Sequence, residues 1–78
     1  MVRVLYFAAC REPAGVDAED LDVRGTVTDV TRAVRARHPA LADILARCRV
    51  AVNQSFAQPN DLVPDGAEVA FIPPVAGG

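Results

Sequence analysis

The stretch GTVTDVTRAVRARHP, residues 25–39, decides the fold of this chain because it carries the pattern of its main helix. Apolar side chains recur at the spacing of one helical face, at Val27, Val30 and Val34. Gly25-Thr26 breaks the preceding extended segment, and Thr26 or Thr28 can cap the helix, since a hydroxyl accepts a hydrogen bond from an unpaired amide. Pro39 disfavours helical backbone at His38. The sequence therefore predicts an amphipathic helix from about Val27 to about His38.

Extended segments flank this helix on both sides. Residues 2–8 and 20–24 alternate in apolar character and predict an antiparallel hairpin, joined through a turn or loop at 11–15. Four segments follow the helix: a shorter helical stretch at 41–48, a strand at 49–53, turn signals within 54–66, and a last strand at 67–72. This order predicts an α+β fold, a ubiquitin-like β-grasp in which a mixed sheet packs on one main helix. Residues 1–72 would form the domain, and residues 73–78 an extended C-terminal tail.

Composition limits what the chain can do. Its 78 residues, 51% of them apolar, suffice for one modest core. All eight cations are arginines scattered along a chain of net charge -2, which argues against a nucleic-acid partner. The apolar runs are too short for a membrane span, and no export signal is recognisable at the N-terminus. We therefore expect a cytoplasmic protein.

The chain offers few residues for catalysis. The one histidine, His38, is expected to cap a helix or face solvent, and Ser55 has no neighbouring base. The acidic segment 17–20 is expected to be a solvated hairpin edge. Cys10 and Cys48 are expected to be free thiols, too few for an iron–sulfur cluster or a structural zinc site, and little supports a persulfide on Cys10. We expect no metal, no cofactor and no independent active site.

The C-terminal segment FIPPVAGG, residues 71–78, has a different character. Pro73 and Pro74 cannot extend a strand ladder and impose an extended course. The four residues after them, Val75–Gly78, can reach roughly 13 Å beyond the domain. Gly77 and Gly78 have no β-carbon and can pass through a narrow channel. Such a tail can deliver its carboxylate to another protein, where an adenylate would supply a leaving group and a sulfur nucleophile would leave a thiocarboxylate.

The chain resembles the small subunit of molybdopterin synthase, a family of sulfur carriers. The resemblance runs over the whole length, through V-L-Y-F-A at 4–8, R-E at 11–12 with Gly15 after it, A-V-N-Q at 51–54 and D-G-A-E-V-A-F-I-P-P-V-A-G-G at 65–78. It implies the β-grasp fold and a role as the non-catalytic sulfur donor of a sulfurtransferase. The last block is the most specific part of the likeness.

The resemblance also implies a mechanism. An ATP-dependent activating enzyme would adenylate Gly78, and sulfur would be installed there as a thiocarboxylate. The carrier would then dock on the large synthase subunit, in a heterotetramer, and insert its last residues into that subunit's active site. Two sulfur transfers would convert cyclic pyranopterin monophosphate to the dithiolene of molybdopterin. The tail residues implied in partner binding are Pro73, Pro74, Val75 and Ala76.

A docking surface follows from the alternation of the strands. If Val2, Val4 and Tyr6 face the helix, Phe7 lies on the opposite, open face of the sheet. Inward-facing Phe71 would likewise leave Ile72 outward, where the family usually has a second aromatic residue. A third apolar side chain, Phe56, lies in a loop-like stretch. The alternative is that Phe7, Phe56 and Ile72 complete the core, but their match to the apolar docking patch of the family favours a partner site.

Other functions remain open on the sequence alone. A sulfur carrier for thiamine or cysteine biosynthesis shares the terminal Gly-Gly, as does a ubiquitin-like protein modifier that forms isopeptide bonds with lysines. A plain interaction module would not need the tail. Arg11 and Glu12 fit a surface ion pair as well as a docking contact.

Overall fold

The computed structural model describes residues 1–74 and contains a five-stranded mixed sheet. Its strands, in chain order, are β1 (Val2–Tyr6), β2 (Ala18–Leu21), β4 (Arg49–Val52), β5 (Ser55–Ala57) and β7 (Glu68–Ile72). They lie in the order β2-β1-β7-β4-β5, with β1 and β7 parallel and the other pairs antiparallel. A separate two-stranded ribbon joins β3 (Gly25–Thr26) to β6 (Leu62–Val63). The predicted α+β architecture with a mixed sheet and one main helix is confirmed.

The main helix is α2 (Val27–Arg37), which begins and ends where the sequence predicts. Thr26 is its N-cap: its hydroxyl accepts from the amide of Asp29, whose carboxylate accepts from the amide of Thr26. This reciprocal pair is a capping box, which satisfies two amides that the first helical turn leaves unpaired. Two shorter helical segments flank α2: a 3₁₀ turn that continues into α1 (Arg11–Ala14), and a 3₁₀ turn that continues into α3 (Ala42–Leu45).

The core lies between α2 and one face of the sheet. Alternate residues of β1 and β7 supply the sheet side, and the inward residues of α2 supply the other, so the predicted strand faces are confirmed. The side chains that are almost fully buried are Val4, Tyr6, Cys10, Val30, Val34, Leu41, Val69 and Phe71. Burying apolar side chains of this size contributes about 1.5–3 kcal/mol each.

Two segments expected to be irregular contain regular structure. Residues 11–14 form α1, which Gly15 ends in a left-handed conformation (φ 76°) that a residue without a β-carbon adopts easily. Residues 54–66 contain β5 and β6, where the sequence predicts only turns. Both strands are too short for alternation to reveal them, since β5 has three residues and β6 two.

A polar cluster ties β2 to the end of α2. Glu19 accepts hydrogen bonds from Tyr6 (2.6 Å) and Arg37 (2.7 Å), and His38 Nε2 lies 2.5 Å from a Glu19 carboxylate oxygen. Burial alone would raise the pKa of Glu19, but these three hydrogen bonds together hold it below its ordinary value. The expectation of a fully solvated acidic edge is therefore wrong for Glu19. His38 does occupy the C-cap of α2, but its side chain packs edge-on against Tyr6 instead of facing solvent.

Candidate functional site

The face of the sheet opposite α2, called the open face below, carries an apolar groove of about 300 Å³. The residues lining this open-face groove are Leu5, Phe7, Ala51, Gln54, Phe56, Glu68, Ala70 and Ile72. They come from four adjacent strands and the segments next to them. The groove brings together the three predicted docking residues of the body, which are far apart in sequence.

Strand register explains why the open face is concave. Leu5 pairs with Ala70, Ala70 with Ala51, and Ala51 with Phe56, so one row crosses four strands. The two alanines lie in the middle of this row, and the larger side chains stand at its ends. Small residues between large ones leave a depression over the centre of the sheet. The residues that form the groove are therefore placed by the same pairing that builds the core on the other face.

Two of the three predicted docking residues, Phe7 and Phe56, are too exposed to belong to the core. Phe7 retains 39% of its accessible surface and Phe56 retains 59%, whereas the inward-facing Phe71 retains none. Ile72 is half-buried. The alternative that Phe7 and Phe56 complete the core is therefore wrong. Exposed aromatic side chains grouped around one apolar depression are typical of a protein–protein contact.

Arginines stand beside both exposed aromatic rings. The guanidinium of Arg49 lies 3.7 Å from the centroid of the Phe56 ring, and that of Arg11 lies 6.0 Å from the centroid of Phe7. Arg11 Nε also donates to the carbonyl oxygen of Tyr6 (3.2 Å) and lies 3.8 Å from Asp17. Arg11 thus makes a surface ion pair with Asp17, which is one of the two roles that the sequence leaves open for it. Cation–π packing of this kind fixes ring positions at a surface.

The motif A-V-N-Q builds a tight turn at one end of the groove. Asn53 and Gln54 connect β4 to β5 with positive φ angles of 49° and 71°. Asn53 donates its amide to Glu68 O (2.8 Å), and its side-chain oxygen accepts from Glu68 N (2.9 Å). The turn is thereby fixed to the start of β7. A two-residue hairpin loop with both φ values positive matches the twist of its strands.

The tail begins at the other end of the groove. Strand β7 ends at Ile72, after which Pro73 is buried, Pro74 is exposed, and neither continues the ladder. The predicted tail residues Val75, Ala76, Gly77 and Gly78 lie outside the described residues. The root of the tail therefore adjoins the apolar surface that contains Phe7 and Ile72.

The two cysteines form a thiol pair on the helix side of the sheet, in which Cys10 is buried and Cys48 is half-buried. Their Sγ atoms are 3.6 Å apart, and neither is in a disulfide. Burial, with the hydrogen bond to Cys10, raises the pKa of Cys48 to about 12. A raised pKa favours the thiol over the thiolate, which is the nucleophilic form. The pair thus belongs to the core packing.

The surface beside the main helix carries a second depression. A second depression of about 420 Å³ lies beside α2, lined in part by Thr28, Arg32 and Arg35. It is on the helix side of the sheet, away from the open-face groove, and it is more polar.

Within residues 1–74, no helix is long and apolar enough to cross a membrane.

Comparison with known proteins places the chain. The sequence profile of the ThiS family matches residues 4–78. The molybdopterin synthase sulfur carrier subunit of Chlamydomonas reinhardtii is 42% identical, over 99% of this chain and 98% of the relative. That of Mycobacterium tuberculosis is 42% identical over 99% and 96%. The crystal structure of SAMP1 from Haloferax volcanii has a TM-score of 0.83 and 30% identity, over 99% of this chain and 98% of that one.

These likenesses cover the β-grasp body and, in sequence, the Gly-Gly end. The structural likeness to SAMP1, together with the mixed sheet packed on one main helix, confirms the predicted ubiquitin-like β-grasp. The family resemblance that the motifs indicated is confirmed as well. The chain belongs to the ThiS family and groups within it with the molybdopterin synthase sulfur carrier subunits.

Proposed function

We propose that this chain carries sulfur on the carboxyl group of Gly78 and donates it within molybdopterin synthase. The observation that carries the proposal is the position of the tail root: Ile72 closes an exposed apolar groove and leads directly to Pro73 and Pro74. A body that binds a partner beside the root of its tail can direct that tail into the partner. The 42% identity with two molybdopterin synthase sulfur carrier subunits supports this function.

The proposed chemistry begins in an ATP-dependent activating enzyme. There the Gly78 carboxylate attacks ATP, pyrophosphate leaves, and an acyl-adenylate forms. A sulfur nucleophile then displaces AMP and leaves a C-terminal thiocarboxylate. Because Gly77 and Gly78 have no side chains, the backbone can extend into a narrow active site. This chain supplies the reacting carboxyl group and its access, and the partner enzymes supply the catalytic groups.

Sulfur transfer then takes place in the large synthase subunit. We propose that Phe7, Phe56 and Ile72 dock on that subunit, while Pro73 and Pro74 direct Val75–Gly78 into its active site. Two loaded carriers in turn convert cyclic pyranopterin monophosphate to the molybdopterin dithiolene. Two carriers on a central dimer of large subunits form the proposed heterotetramer. We place this reaction in the cytoplasm, where free thiols such as Cys10 and Cys48 stay reduced.

Intact-mass spectrometry tests the sulfur-carrier function. The full chain is incubated with the activating enzyme of its host, ATP and a sulfur donor. We expect one oxygen of the C-terminal carboxylate to be replaced by sulfur, and that sulfur to be lost when the large subunit and cyclic pyranopterin monophosphate are added. Omission of ATP is the control, because the carboxylate then has no leaving group. An unchanged mass, in an assay where the enzyme thiolates a known carrier, would contradict the proposal.

A ubiquitin-like protein modifier is the second candidate, because the chain is similar in structure to SAMP1, whose full name is small archaeal modifier protein 1. A modifier would form isopeptide bonds through the same Gly78 carboxyl group. The two functions differ in their products. Lysine-linked conjugates recovered from the host, with the Gly-Gly remnant on the target, would support the modifier, and their absence together with thiocarboxylate formation would support the carrier.

A further inference from the structure

Arg49 lies on the open face beside the root of the tail. It is the first residue of β4 and pairs in register with Ile72, the last residue of β7. Because alternate residues share a face, Arg49 is on the same side as Ala51, which lines the open-face groove. Its guanidinium lies over the Phe56 ring at 3.7 Å. The sequence contained no signal for this role, since the eight arginines are scattered.

Arg49 is also free of carboxylate partners among residues 1–74. Three other arginines have a carboxylate within 4.0 Å, Arg3, Arg11 and Arg37. The remaining arginines have none among these residues, but Arg49 is the one that also lies over an aromatic ring of the open-face groove. A guanidinium stacked on a ring keeps its in-plane N–H groups available, and their planar arrangement matches a carboxylate. Stacking on Phe56 also restricts the side chain before any partner arrives. Arg49 is therefore a preorganised carboxylate-binding group without a carboxylate in its own domain.

The end of the open face that is far from the tail differs in charge from the end beside the tail. Glu68, the first residue of β7, lines the groove there, and Arg3, its neighbour in register on β1, is already paired with Asp20. That end therefore carries two acids and one cation, while the tail end carries the unpaired Arg49. Complementary charges across an interface fix the orientation of two partners more than their affinity. The charge difference along β7 defines one orientation for a docked protein.

We propose that Arg49 binds an aspartate or glutamate of the large synthase subunit at the edge of the docking interface, next to the channel that receives the tail. This inference rests on the proposed function and adds the chemistry of the partner surface. The part of the large subunit that occupies the open-face groove is then an apolar patch, with a carboxylate at the edge nearest the root of the tail. The contact orients the body so that Pro73 faces the channel.

Binding of charge variants to the large subunit of the same host tests the proposal. Association rate and Kd are measured for the full chain, Arg49→Glu and Arg49→Gln, at about 50 and about 300 mM NaCl, since salt screens such a contact. Arg35→Glu is the matched control: it makes the same charge change on exposed α2 surface, on the helix side of the sheet. Thermal unfolding of each variant verifies that it is folded.

We expect Arg49→Glu to weaken binding at least about 10-fold at low salt, and Arg49→Gln to weaken it less and to reduce its salt dependence. Arg35→Glu should stay within about 2-fold of the unmodified chain. If Arg49→Glu binds like Arg35→Glu while the unmodified chain binds well, the carboxylate contact is wrong and the proposed function stands. The carboxylate contact is also wrong if Arg49→Gln keeps the full salt dependence, since Arg49 then only covers Phe56. If the unmodified chain does not bind the large subunit, both proposals fail.

Discussion

Gln54 has a backbone conformation that glycine adopts more easily. Its φ is 71°, and it is the second residue of the two-residue turn between β4 and β5. A residue with a β-carbon in this region is strained by about 1 kcal/mol or more. Its neighbour Asn53 tolerates the same region better, because a short polar side chain can bond locally. Gln54 also lines the open-face groove, so a strained position coincides with the proposed docking surface.

Replacing Gln54 with glycine should stabilise the protein. We expect Gln54→Gly to raise the free energy of unfolding by about 0.5–1 kcal/mol, because the strain is relieved in the folded state. Urea denaturation followed by circular dichroism measures this change. Asn53→Gly is the contrasting variant: it should lower stability, since it removes the hydrogen bond that Asn53 accepts from Glu68 N. A less stable Gln54→Gly protein would show that the turn is not strained.

Phe7 should matter for binding and little for folding. We expect Phe7→Ala to weaken binding to the large subunit about 10-fold or more, because exposed aromatic anchors dominate such interfaces. Its unfolding free energy should change by less than about 1 kcal/mol, since Phe7 lies on the open face, outside the core, with 39% of its surface exposed. Leu62→Ala is the control, because Leu62 is an exposed apolar residue outside the groove. A Phe7→Ala protein that unfolds would place Phe7 in the core.

At the scale of elements, the polar cluster around Glu19 is the main link between β2 and the end of α2. Tyr6 of β1, Arg37 of α2 and His38 all bond to this one carboxylate. Burial, with the hydrogen bond to Glu19, raises the pKa of Tyr6 above its ordinary value, so its hydroxyl remains a donor. The cluster thus holds the edge strand against the helix through hydrogen bonds to a charged acceptor, which are stronger than neutral ones.

Glu19 should make stability depend on acid pH. The pKa of Glu19 is lower in the folded protein than its ordinary value of 4.5, so the unfolded chain takes up the proton first as the pH falls. Its contribution is complete above that ordinary value and is lost as the pH falls through the folded pKa.

We expect Glu19→Gln to lose roughly 1–3 kcal/mol of unfolding free energy at about pH 7, and less at about pH 3. Urea denaturation at the two pH values measures both quantities. Asp20→Asn is the control, because Asp20 is exposed and its surface pair with Arg3 is worth at most about 1 kcal/mol. An equal loss for Glu19→Gln at both pH values would contradict a charge-dependent contribution.

Long elements are predictable from the sequence and short ones are not. The three valines of α2 and the alternation in β1 give a periodic signal, and both elements lie where that signal puts them. Strands β5 and β6 form by pairing with the edges of β4 and β3. Such pairing depends on tertiary structure and leaves no pattern in the local sequence. The prediction for Glu19 is wrong for the same reason: its partners Tyr6 and His38 are remote in sequence.

At the scale of the whole molecule, the proposed docking and sulfur transfer belong to different parts of the chain. The open-face groove lies within residues 1–74, whereas the carboxyl group that we propose to react is on Gly78. The alternation of the strands predicts which side of the sheet Phe7 and Ile72 occupy. It does not predict the groove itself, because the meeting of Ala70 with Ala51 depends on the register of β7 with β4.

Deletion of Gly77 and Gly78 should separate these two parts. We expect the truncated chain to bind the large subunit within about 10-fold of the full chain, because the docking residues of the body remain. It should form no functional thiocarboxylate and support no molybdopterin synthesis. Calorimetric titration and a coupled synthase assay measure the two properties. The full chain is the control, and synthase activity retained by the truncated chain would overturn the carrier function.

Strand β7 lies in the interior of the sheet, between β1 and β4, although it is close to the end of the sequence. Among the strands of residues 1–74, β7 is synthesised last. One edge of β1 therefore stays unpaired until β7 has been made. Because two of the four strand pairings of this sheet involve β7, the complete sheet can form only after β7 has left the exit tunnel. We expect chains that end before β7 not to form this sheet, because they lack the strand that joins β1 to β4.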